Sequence, residues 1–394
     1  MKKIPLLLYL YLLTEMLAPF FAALLVINAI LFLGRLVPLL EVIFGFGIGW
    51  ADFIRFGAYI APKLLLFSLP MACMMGVIIA FTRMSGDHEI MALKAGGIGL
   101  YRMLPPVLLL SLVAALLTYA TATILIPKGT VAMDQLFWQL AKNKIDQGIP
   151  AQTFSEGLKD VVIYVQEVSP GDQSWRGVYL SDLRDPQNPV IVVARSGRLS
   201  VDSAERRIQL HLSDGTMHRA VGATTQTIHF KRYLLDLPLV PPPAFGQRGD
   251  KDSMTQAELR AAALSLAPDH PHRLTLLIEY HQRLVLPVGC FILGILGLTL
   301  ALLNRTSSQA LGVPLGLAAF IVYYVLLTAA KFYIESGQLP LLPTMWAPNL
   351  LFGFFTIYLT RRTALELNQP WLERISAVTQ GVKQRLPWRS GTSP

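Results

Sequence analysis

Six apolar runs decide what this chain can become. They lie at roughly 16–37, 57–82, 103–126, 284–303, 309–332 and 344–361, each close to the ~20 apolar residues that a helix needs to cross a bilayer. Together they predict six membrane spans, grouped three and three. With 53% hydrophobic and 15% charged residues over 394 positions, the chain has the composition of a polytopic membrane protein. Met1-Lys2-Lys3 and "IPLLLYLYLL" lead into the first run with no small-residue cleavage site after them, so span one is expected to stay as an anchor.

Basic residues orient the spans. Lys2 and Lys3 precede span one; Arg83, Lys94 and Arg102 lie between spans two and three; Arg305 lies between four and five. Arg361, Arg362, Arg374, Lys383, Arg385 and Arg389 follow span six. Six spans place all of these on one side, which the positive-inside bias makes the cytoplasm. The net charge of +9 is thereby a topology signal and not a nucleic-acid footprint. The only cysteines, Cys73 and Cys290, fall inside spans two and four, where they read as small buried apolar residues.

Between the two membrane halves, about residues 127–273 hold no span-length run. From Pro150 to Leu237 the sequence reads as short strands rich in β-branched and aromatic residues, among them "DVVIYVQEV", "PVIVVARSG", "RRIQLHLSDG" and "TQTIHFKRYLLDL". Ser169-Pro170-Gly171-Asp172, Asp185-Pro186-Gln187-Asn188-Pro189 and Ser213-Asp214-Gly215 read as the turns that separate them. This spacing predicts a sandwich or jelly roll on the non-cytoplasmic side. Val161, Ile163 and Val165 form one alternate set on their strand, and Val162 and Tyr164 make the other face apolar too; such a strand is buried on both faces or lines something other than water. Ile191, Ile208 and Ile228 are further residues expected to line or fill the interior. "PLVPPPAFGQRGDKD" marks a linker at about 238–252. Thr255 and Glu258 then have the spacing of a capping box, with Pro268 as the stop, and a helix from about His272 runs into span four with a kink at Pro287.

Between spans two and three sits "RMSGDHEIMALKAGG", Arg83 to Gly97. Ser85 or Asp87 can cap a helix start, Glu89 suits the first turn, and Gly96-Gly97 supplies a left-handed stop. The result is a helix of roughly nine residues, too short to be stable alone in water. Ile90 and Leu93 make one apolar edge, Met91 and Ala95 an adjacent one, and Glu89 and Lys94 stay polar. The helix docks either on its own bundle, as a connector, or into a groove on a cytoplasmic partner.

No G-x-x-x-x-G-K-[ST], G-x-S-x-G or H-E-x-x-H pattern occurs, so the chain builds no P-loop and offers neither a nucleophile elbow nor a zinc-protease signature. Its seven histidines, His88, His211, His218, His229, His270, His272 and His281, lack ligand spacing, and no metal site or cofactor is expected. Cations on the non-cytoplasmic side are more informative. Arg35 ends span one, Arg55 and Lys63 begin span two, Arg283 begins span four and Lys331 ends span five. Positive groups at that depth suit the phosphates of a lipid, since a guanidinium grips phosphate bidentately and an ammonium supplies a point charge. The competing reading pairs them locally with Glu41, Asp52, Glu279 or Glu335, or lets them snorkel to the interface.

"RMSGDHEIMALKAGG" resembles the coupling helix of the lipopolysaccharide-export permeases, the LptF/LptG family of ABC-transporter membrane subunits. "EYHQRLVLP", Glu279 to Pro287, is similar to the segment before span four in the LptF branch, and "PTMWAPN", Pro343 to Asn349, resembles the family's opening of span six. The resemblance covers nearly the whole chain. It implies a membrane α-helical bundle of six transmembrane helices with an inserted periplasmic β-jelly-roll domain. Its parts would be spans one to three over 1–126 with a coupling helix at 85–97, the β-domain and linker over 127–252, a connecting helix and spans four to six over 253–361, and a basic cytoplasmic tail over 362–394. It implies that Asp87, Glu89, Ile90, Met91, Leu93 and Lys94 face an LptB-like ATPase dimer, which binds the ATP that this chain does not. A homologous LptG-like permease and an LptC/LptA-like jelly-roll bridge complete the expected partners in the bacterial inner membrane. The substrate would be lipopolysaccharide, its phosphates near Arg35, Arg55, Lys63, Arg283 and Lys331 and its acyl chains near Val161, Ile163, Val165, Ile191, Ile208 and Ile228. Arg35 matches a basic position of the family near the outer end of span one. Where family members often have Arg-Glu, this chain has Thr14-Glu15, so no role of that arginine carries over. Two other classes remain on the residues alone. One is a periplasm-facing scaffold or sensor without transport. The other is a membrane-embedded lipid-modifying enzyme with an acid such as Glu279 as base.

Overall fold

Helices too long for one bilayer crossing organise the membrane part. The computed structural model describes residues 6–46, 49–146, 151–158, 161–169, 174–183, 189–202, 207–221, 224–238, 251–267, 270–303 and 312–366. Within these, only the backbone is described at 37–46, 141–146, 155–158, 201–202, 207–208, 220–221, 224–225 and 237–238. Lys2, Lys3, Arg305, Arg374, Lys383, Arg385 and Arg389 lie outside the described residues, as do two of the expected turns, 170–172 and 185–188.

The helices are α1 (Leu6–Phe46), α2 (Trp50–Gly86), α3 (Glu89–Ala95), α4 (Leu100–Ala120), α5 (Ile126–Asp146), α6 (Gln256–Ser265), α7 (Pro271–Leu302), α8 (Gly312–Glu335) and α9 (Leu341–Ala364). Among the described residues, five helical stretches are long and apolar enough to cross a membrane: Leu6–Leu36, Trp50–Gly86, Leu100–Leu140, Pro271–Leu302 and Gly312–Glu335. The sixth expected span coincides with α9, whose 24 residues extend about 36 Å. Its Pro343, Pro348 and Asn349 dilute the apolar run. Span three does not end at 126, because α4 passes through a π turn, Thr121–Leu125, into α5 and the helix continues to Asp146. The turn precedes Pro127, which has no N–H for the helical ladder, and a π turn is one way a helix absorbs that loss. Residues 127–146, expected in the inserted domain, are therefore helical, and strands begin at Phe154.

The described chain divides into two units. One comprises residues 1–28, 65–120 and 262–394, and the other 29–64 and 121–261. In the first, α7 is the hub, packed on α4, α8 and α9. Its glycines allow close approach: a Cβ at Gly297 would meet the Met74 carbonyl oxygen at 2.8 Å. On α2, a Cβ at Gly76 would meet the Phe20 backbone at 2.8 Å. Cys73 and Cys290 are both fully buried among these helices, as expected.

In the second unit, Phe56 of α2 packs with Met133 and Leu136 of α5. The same unit holds six antiparallel strands in sequential order: β1 (Phe154–Leu158), β2 (Val161–Val168), β3 (Trp175–Asp182), β4 (Val190–Asp202), β5 (Arg207–Val221) and β6 (Thr224–Pro238). Every described strand pairs with its neighbour in sequence, so the inserted β-domain is built as a meander. A line of breaks bends the sheet across its middle. On β2 the inward residues pass from Val165 to Val168, on β3 from Val178 to Trp175 around Gly177 at φ 63°, and on β4 from Ala194 to Gly197. These steps of three are in register, Val165 with Val178 with Ala194, then Val168 with Trp175 with Gly197. Ser213-Asp214-Gly215, expected as a chain reversal, continues the line: Asp214 takes φ 52° inside β5, and the strand carries on. Asp tolerates that left-handed conformation better than most residues. Both halves of the bent sheet feed one apolar cluster, Val161, Ile163, Val165, Val178 and Val192 with Trp175, Leu210, Leu212 and Leu235.

Candidate functional site

The short helix after α2 forms as a docked element. The expected side-chain caps are absent: α2 runs on to Gly86, and His88 stands at the cap position of α3 with φ 62° and no side-chain cap bond. The C-terminal stop does form. Gly97 adopts φ 76°, its N–H donates to the Lys94 carbonyl, and the Ile98 N–H donates to the Leu93 carbonyl, each at 2.9 Å. This pair of bonds is a Schellman motif, and both Leu93 and Ile98 are packed against the bundle's core. Ile90 is buried in the core that also holds Leu12, Met16, Met84 and Leu100, and Leu93 is packed against the same core. Met91 is 68% exposed. Asp87 is exposed as well.

Two polar contacts fix the helix, and a third joins the helices beside it. The Tyr11 hydroxyl donates to Glu89 Oε2 at 2.7 Å. One turn further along α1, Glu15 pairs with Arg83 at the end of α2. Lys94 Nζ lies 3.1 Å from Glu366 Oε1, just past α9. The seven-residue helix thus gains from α1 and from the residue just past α9 what it lacks in cooperative length. Thr14 points its hydroxyl to the Leu10 and Tyr11 carbonyls of its own helix, so at this position the chain carries no cation toward α3.

The five expected lipid-facing cations divide between the units, Arg35, Arg55 and Lys63 in one, Arg283 and Lys331 in the other. Arg35 is exposed, and its side chain forms no ion pair among the described residues. Arg55 Nη1 is 3.1 Å from Asp52 Oδ1, and Arg283 Nε is 3.0 Å from Glu279 Oε1, the local pairings that sequence allowed. Arg283 is 1% exposed and belongs to the packed interior of its unit. Lys63 Nζ donates to Asp252 Oδ2 at 2.6 Å, a partner 189 positions away in the 3₁₀ turn Lys251–Ser253. That turn packs against α5 in the same unit. The side chain of Glu41 lies outside the described residues, and Lys331 is half-buried near the end of α8.

Of the six residues expected along the β interior, Val161, Ile163 and Val165 are 1%, 1% and 0% exposed in the sheet's core. Ile191 is not inward. It is 37% exposed while its neighbour Val192 is buried, because alternation lets only one of two consecutive residues face the core. Ile228 on β6 pairs with Met217 on β5 and is 44% exposed. The Ile208 side chain lies outside the described residues.

Sequence reasoning missed a polar group in the bundle. The Tyr323 hydroxyl on α8 donates to Asn349 Oδ1 on α9 at 2.8 Å, and Asn349 Nδ2 donates to the Val285 carbonyl on α7 at 2.9 Å. Asn349 closes the "PTMWAPN" stretch, a signal that was in view; Tyr323 carried none. Among the described residues, no three His, Cys, Asp or Glu side chains gather as a metal site would need.

The model of one family, "Lipopolysaccharide export system permease LptF/LptG", matches residues 10–362, which takes in both membrane halves and the β insert. The chain belongs to the LptF/LptG permease family. An LptF/LptG permease is a multi-pass membrane component of lipopolysaccharide export and a transporter part instead of a classical enzyme, so the lipid-modifying reading falls away. The family model describes both branches together. The chain is also 23% identical over 314 residues to an uncharacterized protein of Rickettsia prowazekii (strain Madrid E), RP871, across 79% of this chain and 85% of that one.

Proposed function

We propose that this LptF/LptG permease is the LptF-branch subunit of an ATP-driven transporter that takes lipopolysaccharide from the outer leaflet of the bacterial inner membrane. It passes the lipid to a bridge of periplasmic jelly-roll domains. The observation that carries this reading is the family match over residues 10–362, which includes α3, all the apolar helices and the sheet in one unbroken stretch. "EYHQRLVLP" favours the LptF branch, with an LptG-like permease as the obligate partner. The chain itself holds no nucleotide; a cytoplasmic LptB-like ATPase dimer supplies the energy.

The ATPase docks on α3. Ile90 and Leu93 are spent on the bundle, so the partner meets Asp87, Met91 and the outer side of Glu89 and Lys94. Tyr11 orients Glu89 and leaves its carboxylate a further acceptor oxygen for a donor on the ATPase. Tied to α1 and to the end of α9, and following α2 directly in the chain, the helix transmits a push on its outer face to the helices around it. On the opposite side, lipid phosphates meet Arg35 first, because among the described residues no carboxylate pairs with that guanidinium. Arg55 and Lys63 accept phosphate only by exchanging Asp52 and Asp252. The acyl chains follow the inner face of the bent sheet past Val161, Ile163 and Val165 toward Ile228 at its uncovered end, from which the periplasmic bridge receives them.

Co-purification with the ATPase tests the reading, with the second permease co-expressed and Glu89→Ala and Glu89→Lys beside the wild type. The wild type is expected to hold the ATPase and Glu89→Lys to release it at unchanged detergent-extracted yield. If no form of the chain holds an ATPase, α3 is a connector and the scaffold reading replaces this one.

A further inference from the structure

A groove on the bundle, lined by none of the cations just discussed, is shaped for a lipid that is not cargo. It holds about 300 Å³ and is walled by Phe291, Ile292 and Ile295 of α7 and by Gly353 and Ile357 of α9. Gly353 leaves it open, since the nearest atom to a Cβ there would be Ile292 Cδ1 at 3.8 Å. From Gly353 to Arg361 is eight residues, about 12 Å along the helix. That length and volume fit part of one acyl chain and not a whole lipid.

Two polar features give the groove a direction. Arg361 lines its end together with Tyr101 of α4, and no carboxylate pairs with that guanidinium among the described residues. Next to it, the Arg362 guanidinium sits 5.4 Å from the centre of the Tyr358 ring. Tyrosines and arginines gathered in this way mark headgroup depth. Further in, Thr356 is 3% exposed and lines the groove, and its Oγ1 has no hydrogen-bond partner among the described residues. That oxygen is closed to water as it stands, so a turn about the Cα–Cβ bond is what brings the hydroxyl to an acceptor in the channel. Five residues, about 7.5 Å, separate it from Arg361 along the helix, a spacing that suits an ester carbonyl inside a phosphate.

We propose that the groove between α7 and α9 binds one acyl chain of an anionic glycerophospholipid, its phosphate on Arg361 and its ester carbonyl on the Thr356 hydroxyl. The positive-inside bias sets Arg361 and Arg362 at the cytoplasmic face, so the lipid is drawn from the inner leaflet, where anionic headgroups attract cations. It buttresses α9 against α7 near the end of α9 that Lys94 and Glu366 join to α3. The site stands apart from transport: it needs neither the ATPase nor lipopolysaccharide.

Photolabelling of the full chain in phosphatidylethanolamine vesicles tests it. The vesicles carry phosphatidylglycerol or phosphatidylcholine with a diazirine in the acyl chain, and labelled peptides are mapped by mass spectrometry. The phosphatidylglycerol probe is expected to label the groove residues Ile292, Ile295 and Ile357 above the outward Leu350 and Phe354. Gly353→Leu, which fills the groove, removes that excess; should it misfold, Ile295→Phe fills the groove from the other wall. Arg361→Gln keeps the groove but lowers the preference for phosphatidylglycerol over phosphatidylcholine by about five-fold, the share of one cation at the surface. Equal labelling of the groove and of Leu350 and Phe354 overturns the site. Groove labelling with no headgroup preference in the wild type overturns the anionic assignment. Absence of groove labelling in the vesicles means that protein covers it, and overturns the proposal as well.

Discussion

Tyr323 and Asn349 join α8 to α9 through one hydrogen bond of 2.8 Å, and Asn349 passes the link to the Val285 carbonyl on α7. Val285 lies two residues before Pro287, where the helical ladder of α7 already lacks one donor. The amide therefore braces three helices where one of them is weakest. Tyr323→Phe removes a single interhelical bond and should cost about 0.6–1.7 kcal/mol. Asn349→Ala strands the buried hydroxyl and loses both bonds, and should cost more, about 2–3 kcal/mol. Thermal unfolding in detergent measures both. The double variant should fall well short of the sum, because the two side chains share one bond; full additivity would refute the shared brace.

Close backbone approach gives a second prediction. A Cβ at Gly76 collides with Phe20 main-chain atoms, and one at Gly297 with the Met74 carbonyl oxygen. Neither obstacle is a flexible side-chain tip, so the helices must separate. Gly76→Ala and Gly297→Ala should each destabilise the bundle by about 1–3 kcal/mol. Gly353→Ala meets only ordinary contact and should be neutral by the same thermal assay.

How much of this was legible in advance depends on the range of each interaction. The spans were legible because about twenty apolar residues have few alternatives to crossing a bilayer. The inward set Val161, Ile163 and Val165 was legible because alternation is local. Ile191 was misjudged in a run of four apolar residues, Val190 to Val193, where alternation leaves no mark in composition. Ser213-Asp214-Gly215 has turn chemistry, and only pairing on both sides reveals a bend within a strand. Lys63 and Asp252 could not be matched from sequence, since nothing local connects two residues 189 apart. Tyr11 with Glu89 is of the same kind.

The capping box at α6 predicts a pH dependence. The Thr255 N–H donates to Glu258 Oε2 at 2.7 Å, and the Glu258 N–H donates to the Thr255 hydroxyl. The backbone and side-chain hydrogen bonds to Thr255 hold the Glu258 carboxyl below the usual glutamate range. A depressed pKa means that the folded helix favours the carboxylate. The contribution is complete above the ordinary glutamate value and is lost as pH falls through the depressed one. Hydrogen exchange of the α6 amides should therefore show protection falling more steeply on acidification in the wild type than in Glu258→Gln. At neutral pH, Thr255→Ala should lower that protection by about 1 kcal/mol. Equal pH profiles for wild type and Glu258→Gln would remove the carboxylate from the cap.

The pair Lys63 and Asp252 gives the sharpest separation between fold and transport. Both side chains are partly exposed, Lys63 at 35% and Asp252 at 26%, so water screens the pair and its worth to stability is about 1 kcal/mol or less. Asp252→Asn should therefore leave thermal unfolding nearly unchanged. If Lys63 meets lipid phosphate in the transport cycle, Asp252 competes with the substrate for the ammonium, and its removal favours the substrate. Binding of a lipid A fragment by Asp252→Asn should then tighten about five-fold, the effect of releasing about 1 kcal/mol of competing attraction, whereas Lys63→Gln should weaken it. The charge exchange Lys63→Asp with Asp252→Lys restores the ion pair and the stability. It moves the cation from α2 to the linker, so binding should stay low if the ammonium must project from α2. Tighter binding in Asp252→Asn with loss in both Lys63 variants assigns the cation to the substrate. Unchanged binding in all three confines the pair to holding the linker on α2.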